Sequence, residues 1–321
     1  MRLRPGWWLV LAALAAPPAE GLAQAFPSKP VRLVVPFPGG SATDTIARLI
    51  AAPVGQALGQ PMLVEDRAGA DGAIAASEVA RAAPDGYTLL MATNSPMSAV
   101  PAMKKTPPYD PSADFTPVAD VGRYTFFMVV HPDVPARTLA ELIDYARANP
   151  EKLNYATGNT TGIVSTAYFA SLAGIQMVHV PYKGEPQAVT DLLAGRVQFM
   201  VVSSGTTLSH LREGRLRALV TTLPRRSPSL PEVPTIAEAG MPKFSLTSWA
   251  GLFGPPRMPK EIQERLSREF LAAMQRPEVH AAAEKQGFLL APAPPERLAE
   301  LVKEQLESYR RILAAAGVQP E

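Results

Sequence analysis

The chain has no cysteine among its 321 residues. That absence excludes disulfides, thiolate metal sites, a cysteine nucleophile and a lipid-anchored cysteine. An excess of one charge is missing too: 31 Lys and Arg stand against 29 Asp and Glu, a net +2. Nucleic-acid binding would need a basic footprint, which this balance does not supply. Histidine is scarce, with four in all. None belongs to a cluster of His and carboxylates at i, i+3 and i+4 spacing, so no metal site is expected. Beyond the first 25 residues the sequence has no long apolar run.

Those first residues read as an address. Arg2 and Arg4 precede the apolar stretch Trp7 to Ala16, and Ala23-Gln24-Ala25 places small residues before Phe26. Pro17 and Pro18 end the apolar run after roughly ten residues, half of the ~20 that span a bilayer. The pattern predicts a secretory signal peptide over 1–25 and an exported, periplasmic protein. Cleavage would leave 321 − 25 = 296 residues, and losing Arg2, Arg4 and Glu20 would take the charge from +2 to +1. A chain of ~300 residues buries about three quarters of its unfolded surface without disulfides, and its length favours two domains.

Strand and helix signals alternate through the mature chain. Val31-Arg32-Leu33-Val34-Val35 reads as a buried strand, broken by Pro36-Phe37-Pro38-Gly39-Gly40. Ser41 opens a helix with Asp44 as its capping-box partner, and Ile46, Leu49, Ile50 and Val54 share one face. Strands follow at 62–64 and 87–91, with a helix over 73–82 between them. The pattern implies βαβ units and a mostly parallel sheet. The Pro-rich stretch from Pro101 to Pro117 reads as a loop. A second block repeats the grammar, with strands at 126–130, 153–156, 177–180, 197–202 and 218–220 and helices over 139–148 and 164–172. Two strong helices, Lys260 to Met274 and Pro295 to Ala315, follow a strand at 249–253. The second of them carries a charged face, Glu296 to Glu307, read as solvated.

Two turns are candidates for chemistry, Phe37 to Asp44 and Thr157 to Gly162. Each should set free backbone N–H groups and the positive end of a helix at the carboxyl end of a strand, an arrangement suited to anions. Ordinary βα turn chemistry explains the same residues as well. Neither turn matches a phosphate loop, which needs a Lys after its last Gly. Gly158-Asn159-Thr160-Thr161-Gly162 mimics a nucleophile elbow with Thr160 at the centre, but His131, His179, His210 and His280 are poorly placed as its base. Arg67, Arg123 and Lys183 read as surface charge.

Several runs resemble the Bug proteins, the extracytoplasmic solute receptors of the tripartite tricarboxylate transporter system. They are Phe26-Pro27-x-Lys29-Pro30-Val31-Arg32; Val35 to Gly40 with Asp44, Ala47 and Arg48; and Gly59-Gln60 leading to Val64-Glu65-Asp66-Arg67-x-Gly69-Ala70-x-Gly72. Ala83 to Leu89, Asp114-Phe115-x-Pro117-Val118 and Val180 to Gly184 with Asp191-Leu192-Leu193 continue the likeness. Gly214-x-Leu216 to Leu219, Arg226-Ser227, Leu230 to Thr235 and Glu238-Ala239-Gly240 complete it.

The resemblance implies a two-domain α/β fold of the periplasmic-binding-protein (Venus flytrap) type. A ligand cleft would lie between the domains, joined by two crossover segments. Domain one would comprise 26–122 plus 247–321 and domain two 123–246, with the crossings near Arg123 and Ser248. It also implies which residues line the cleft: Phe37, Gly39, Gly40, Ser41, Thr43 and Asp44 on one lip, and Gly158, Asn159, Thr160, Thr161 and Gly162 on the other. Ser203 and Ser204, at a place where many members carry an Asp, complete the expected set. The second turn lacks the Ser-x-Gly-x-Gly-His pattern common in the family. Both departures lead to the expectation of a less charged pocket. The implied function is a monomeric, non-enzymatic receptor without cofactor or metal, which passes a small carboxylate to membrane permease subunits. The ligand would be a mono- or dicarboxylate, an amino acid or an aromatic acid. A sensor that presents its closed form to a membrane signalling partner, and a hydrolase using Thr160, are the alternatives.

Overall fold

The computed structural model describes residues 26–244, 246–315 and 320. The expected signal peptide lies outside them. The first half runs β1 (Val31–Val35), α1 (Ala42–Leu58), β2 (Met62–Asp66), α2 (Ala73–Ala80), β3 (Thr88–Thr93), α3 (Val100–Met103) and β4 (Thr116–Tyr124). Next come β5 (Phe126–Val130), α4 (Leu139–Ala148), β6 (Asn154–Thr157), α5 (Thr160–Ala173), β7 (Val178–Pro181), α6 (Glu185–Leu193), β8 (Phe199–Ser203), α7 (Ser204–Arg212) and β9 (Arg217–Thr221). The chain ends with β10 (Trp249–Gly254), α8 (Lys260–Met274), α9 (Pro277–Lys285), β11 (Phe288–Ala293) and α10 (Pro295–Ala315).

Two sheets organise these elements. One has the order β11-β4-β10-β3-β1-β2, the other β7-β6-β8-β5-β9. β1 is apolar on both faces because it lies between β2 and β3 under helices, with Val31, Leu33, Val34 and Val35 wholly buried. The sheets are mixed, which corrects the expectation of a mostly parallel one. β1 pairs in parallel with β2 and β3, and β6 with β7 and β8. β10 runs antiparallel to β3 and β4, β11 to β4, and β5 to β8 and β9. The antiparallel strands are those at or after a passage between sheets, where no helical crossover is needed to bring a strand back.

Both passages are visible. β4 ends at Tyr124 in the first sheet and β5 starts at Phe126 in the second, leaving Thr125 alone between them. The return lies between β9 and Trp249, the first residue of β10. The Pro-rich stretch is only partly loop: α3 occupies its start and β4 its end, with Pro117 opposite Phe253 of β10.

Helix ends follow their sequence signals with one change. Ser41 Oγ accepts from Asp44 N at 3.2 Å, as a cap should. The return bond from Asp44 Oδ2 goes to Gly40 N at 2.8 Å, one residue earlier than a capping box places it. At the N-terminus of α5, Asn159 Oδ1 accepts from Gly162 N at 2.8 Å. Gly59 and Gly174 close α1 and α5 in the left-handed conformation that glycine adopts without strain.

The last helix joins the two halves. α10 buries Leu298, Val302, Tyr309, Ile312 and Leu313 and packs on both β4 and α5. Its opposite face keeps the solvated pair Arg297–Glu300.

Candidate functional site

A cavity of ≈ 180 Å³ opens between the two sheets. Five of its lining segments follow the carboxyl ends of strands: Phe37–Thr43 after β1, Thr93–Ser95 after β3, Gly158–Thr161 after β6, Lys183–Pro186 after β7 and Ser203–Thr206 after β8. That is the usual position for a ligand in an open α/β sheet. Tyr124 and Phe126 line it from the first passage between sheets and Ser248 from the second.

Of the residues expected from sequence, Phe37, Gly39, Gly40, Ser41 and Thr43 line one side of this cavity, and Gly158, Asn159, Thr161 and Ser203 the other. Four are set behind the lining. Asp44 is 4% exposed and spends its carboxylate on Gly40 N and on Arg48 Nε at 2.7 Å. It shapes the turn. Gly162 is tied down by the Asn159 cap. Thr160 is 2% exposed, and its hydroxyl has no hydrogen-bond partner among the described residues. Ser204 is wholly buried and donates to Gly287 O at 3.2 Å, beside the passage between sheets.

The first turns of both lips present unused amides. Ala42 N and Thr43 N at the start of α1, and Thr160 N and Thr161 N at the start of α5, have no acceptor among the described residues. Two helix N-termini therefore bring N–H groups and positive partial charge to one cavity. Thr43 Oγ1 accepts from Tyr124 OH at 2.9 Å, which leaves its own proton available.

The pocket carries charge at residues the sequence did not single out as ligand contacts. Lys183 and Glu185 both line it. Lys183 is exposed at the rim. The Glu185 carboxylate is enclosed: Oε1 accepts from Asn159 Nδ2 at 3.1 Å and from Ser203 N at 3.3 Å. Oε2 accepts from Ser203 Oγ and from Thr206 Oγ1, the latter at 3.3 Å. Enclosure dominates and holds this carboxyl above its ordinary range, against the pull of those hydrogen bonds. Gly158 makes the arrangement possible, since a Cβ there would lie 2.3 Å from Glu185 N.

Asn94 is a second residue that sequence reasoning passed over. It is 1% exposed and sits at the end of β3. Its Nδ2 donates to Thr161 Oγ1 at 2.7 Å and to Tyr309 OH at 2.6 Å. Its Oδ1 accepts from Ser248 Oγ at 3.0 Å and Trp249 N at 3.3 Å. The polar run Thr93-Asn94-Ser95 after an apolar strand was the available signal. For Glu185 it was Gly184-Glu185-Pro186, a helix start with Pro in its first turn.

The other charged and histidine residues lie elsewhere. Arg123 makes a two-pronged bond to Asp120, and Arg67 pairs with Glu65 and Glu78. His179 bonds Thr157 Oγ1 at 2.7 Å and stacks on Tyr155. No group of three or more His, Cys, Asp or Glu among the described residues could hold a metal. No helix there is long and apolar enough to cross a membrane.

Known proteins resemble this chain in both sequence and architecture. Residues 46–318 match the family model described as the tripartite tricarboxylate transporter family receptor. The UPF0065 protein of the tcbD-tcbE intergenic region of Pseudomonas sp. (strain P51) is 40% identical over 90% of this chain and 87% of its own. Protein BugT of Bordetella pertussis (strain Tohama I) is 32% identical over 97% and 96%. Among solved structures, R. palustris Rpa4515 with adipate superposes with TM-score 0.86 at 33% identity, covering 92% of this chain and 100% of the other. The periplasmic binding protein BugD gives 0.84 at 30%, over 92% and 100%. MatC from Rhodopseudomonas palustris with bound malate gives 0.81 at 33%, over 90% and 100%. With a two-domain α/β fold around a cleft and a match that spans most of its length, this chain belongs to the tripartite tricarboxylate transporter receptor family, among the Bug proteins.

Proposed function

We propose that this protein captures a small organic carboxylate in its cleft and presents it to membrane permease subunits of a tripartite transporter. One observation carries the reading: unused first-turn amides of α1 and α5 border the same cavity from opposite sides. An anion at a helix N-terminus gains about 0.3–1 kcal/mol from each helix, and more where water is excluded. Neutral N–H and hydroxyl donors hold a carboxylate without an arginine clamp, so it is released again. The homologues that carry adipate and malate support the same class of ligand.

The two sheets would act as the cores of two lobes, 26–122 plus 247–321 and 123–246, which close on the ligand about Arg123 and Ser248. Closure is favoured only by the extra affinity of the closed form. Residues 1–25 would direct export and be removed from the mature protein, and the receptor would work as a monomer without catalysis. The isolated Thr160 hydroxyl supports that last point.

A thermal-shift screen of organic acids against their neutral amides tests the reading. At least one acid should raise the melting temperature while its amide does not. A ligand at 100 times its Kd adds about 2.7 kcal/mol, a shift of several degrees. If none of the acids moved the midpoint, the carboxylate reading would fail.

A further inference from the structure

The two lips of the cavity differ in what they leave free. On the α1 side no acid takes up the first-turn amides of Ala42 and Thr43. On the far side the α5 amides of Thr160 and Thr161 are free as well, but an acid from the protein itself has taken the side-chain donors beside them. The N-cap residues of three helices meet there: Asn159 of α5, Gly184 of α6 and Ser203 of α7. Glu185 puts its carboxylate where they converge and accepts from Asn159 Nδ2, Ser203 N, Ser203 Oγ and Thr206 Oγ1. Of the about four lone-pair directions a carboxylate offers, three have donors of their own, and the fourth competes with Ser203 O, at 3.1 Å, for the single proton of Thr206 Oγ1. The side chain amides and hydroxyls that could have held a second anion at this end are spent.

The apolar part of the cavity lining is Phe37, Pro38, Tyr124, Phe126 and Pro186. The charge of Glu185 reaches across the cavity: it adds to burial in pushing the Tyr124 phenol up. Lys183 is the opposing influence, a cation on the same lip. Its ammonium is exposed and solvated, so water and salt screen it, whereas the enclosed carboxylate is screened far less. The acid outweighs the base inside the cavity.

We infer that Glu185 makes this a receptor for monocarboxylates, holding the ligand's one carboxylate at the α1 and α5 amides, laying its uncharged body against Tyr124, Phe126 and Pro186, and rejecting a second carboxylate. The inference rests on the carboxylate reading above and narrows it. Asn159 and Ser203 already donate to Glu185, so the carboxylate does not depend on a donor from the ligand. A second carboxylate would bring a like charge beside an enclosed one and find the Asn159 and Ser203 donors already engaged.

Titration calorimetry at neutral pH with matched pairs tests this: butanoate and succinate, hexanoate and adipate, octanoate and suberate, benzoate and terephthalate. In wild-type protein the tightest binder should be a monocarboxylate, favoured over its dicarboxylate partner by about tenfold or more, equivalent to about 1.4 kcal/mol. Glu185→Gln should raise dicarboxylate affinity and shrink that ratio by a similar factor. A dicarboxylate that binds wild type as tightly as its partner would overturn the inference, and so would a ratio unchanged in Glu185→Gln. The wild-type ratio requires no variant to fold. Equal binding of both series sinks the monocarboxylate claim alone, whereas failure of every acid in both series sinks the carboxylate reading with it.

Discussion

Asn94 Nδ2 lies 2.7 Å from Thr161 Oγ1 and ties the end of β3 to the first turn of α5, so a buried hydrogen bond joins the two sheets' halves beside the cavity. The same amide holds Tyr309 of α10, and its oxygen holds Ser248 and Trp249 at the return passage. One side chain thus links both lobes, the last helix and a passage strand.

Replacing Asn94 with Ala should therefore be costly. It strands several buried groups at once, each worth about 1–3 kcal/mol when left unpaired. A urea midpoint lowered by about 1–2 M is expected, from a loss of roughly 3 kcal/mol and the usual slope. X-ray scattering should also show a wider spread of lobe separations. A variant that matched wild type in both would show that the network is dispensable.

Gly158→Ala should fail for a steric reason. Its Cβ would meet the Glu185 backbone, at 2.3 Å from N and 2.6 Å from Cα, and backbone yields less readily than a flexible side chain. Overpacking of this kind costs about 1–3 kcal/mol. The melting temperature should fall by several degrees. An unchanged midpoint would mean that α6 moves aside freely.

Tyr124→Phe removes the donor to Thr43 Oγ1 and little else. The stability loss should be small, about 0.5–1.5 kcal/mol. Ligand affinity should fall more than stability does, because Thr43 loses the bond that orients its proton. Calorimetry on the acid identified by the screen, set against a denaturation curve, separates the two effects.

The pH dependence of stability should carry a signature of Glu185. Its carboxyl is raised from 4.5 by enclosure, so between that value and the folded value the native state binds more protons than the unfolded one. Stability then falls as pH rises through this window. Glu185→Gln removes the term. Wild type minus variant should decline from pH 4.5 upward and level off once the native group has ionised. A flat difference curve would show that the carboxyl is not perturbed.

Much of the fold is legible in the residues. β5 and β10 are uninterrupted apolar runs, β1 is broken only by Arg32, and Ser41, Asn159, Gly59 and Gly174 mark helix ends by types whose geometry admits few alternatives. β4 was not legible, because Pro117 and Gly122 argue against a strand. It exists because Gln263 bonds the Pro117 carbonyl and because Gly122 lies against β11, too close for any Cβ. The turns of the cavity could be read from glycines and hydroxyls next to strand ends. Glu185 and Asn94 had a local signal for their position but none for their role, since their partners lie in distant segments: Ser203 is 18 residues from Glu185 and Tyr309 is 215 from Asn94. A sequence pattern sees neighbours along a chain, not enclosure by remote elements.

Thr125 stands alone between β4 and β5, with its amide bonded to Gly287 O at 3.1 Å and its carbonyl to Ser204 N at 2.8 Å. In the proposed closure a joint of one residue leaves little slack for sliding, so the two slabs would move by a swing. The swing is a lever: a few degrees at Thr125 sweep the distant rim through a much longer arc than the cavity floor. Small substitutions next to the pivot should therefore change how wide the mouth stands more than they change the grip inside.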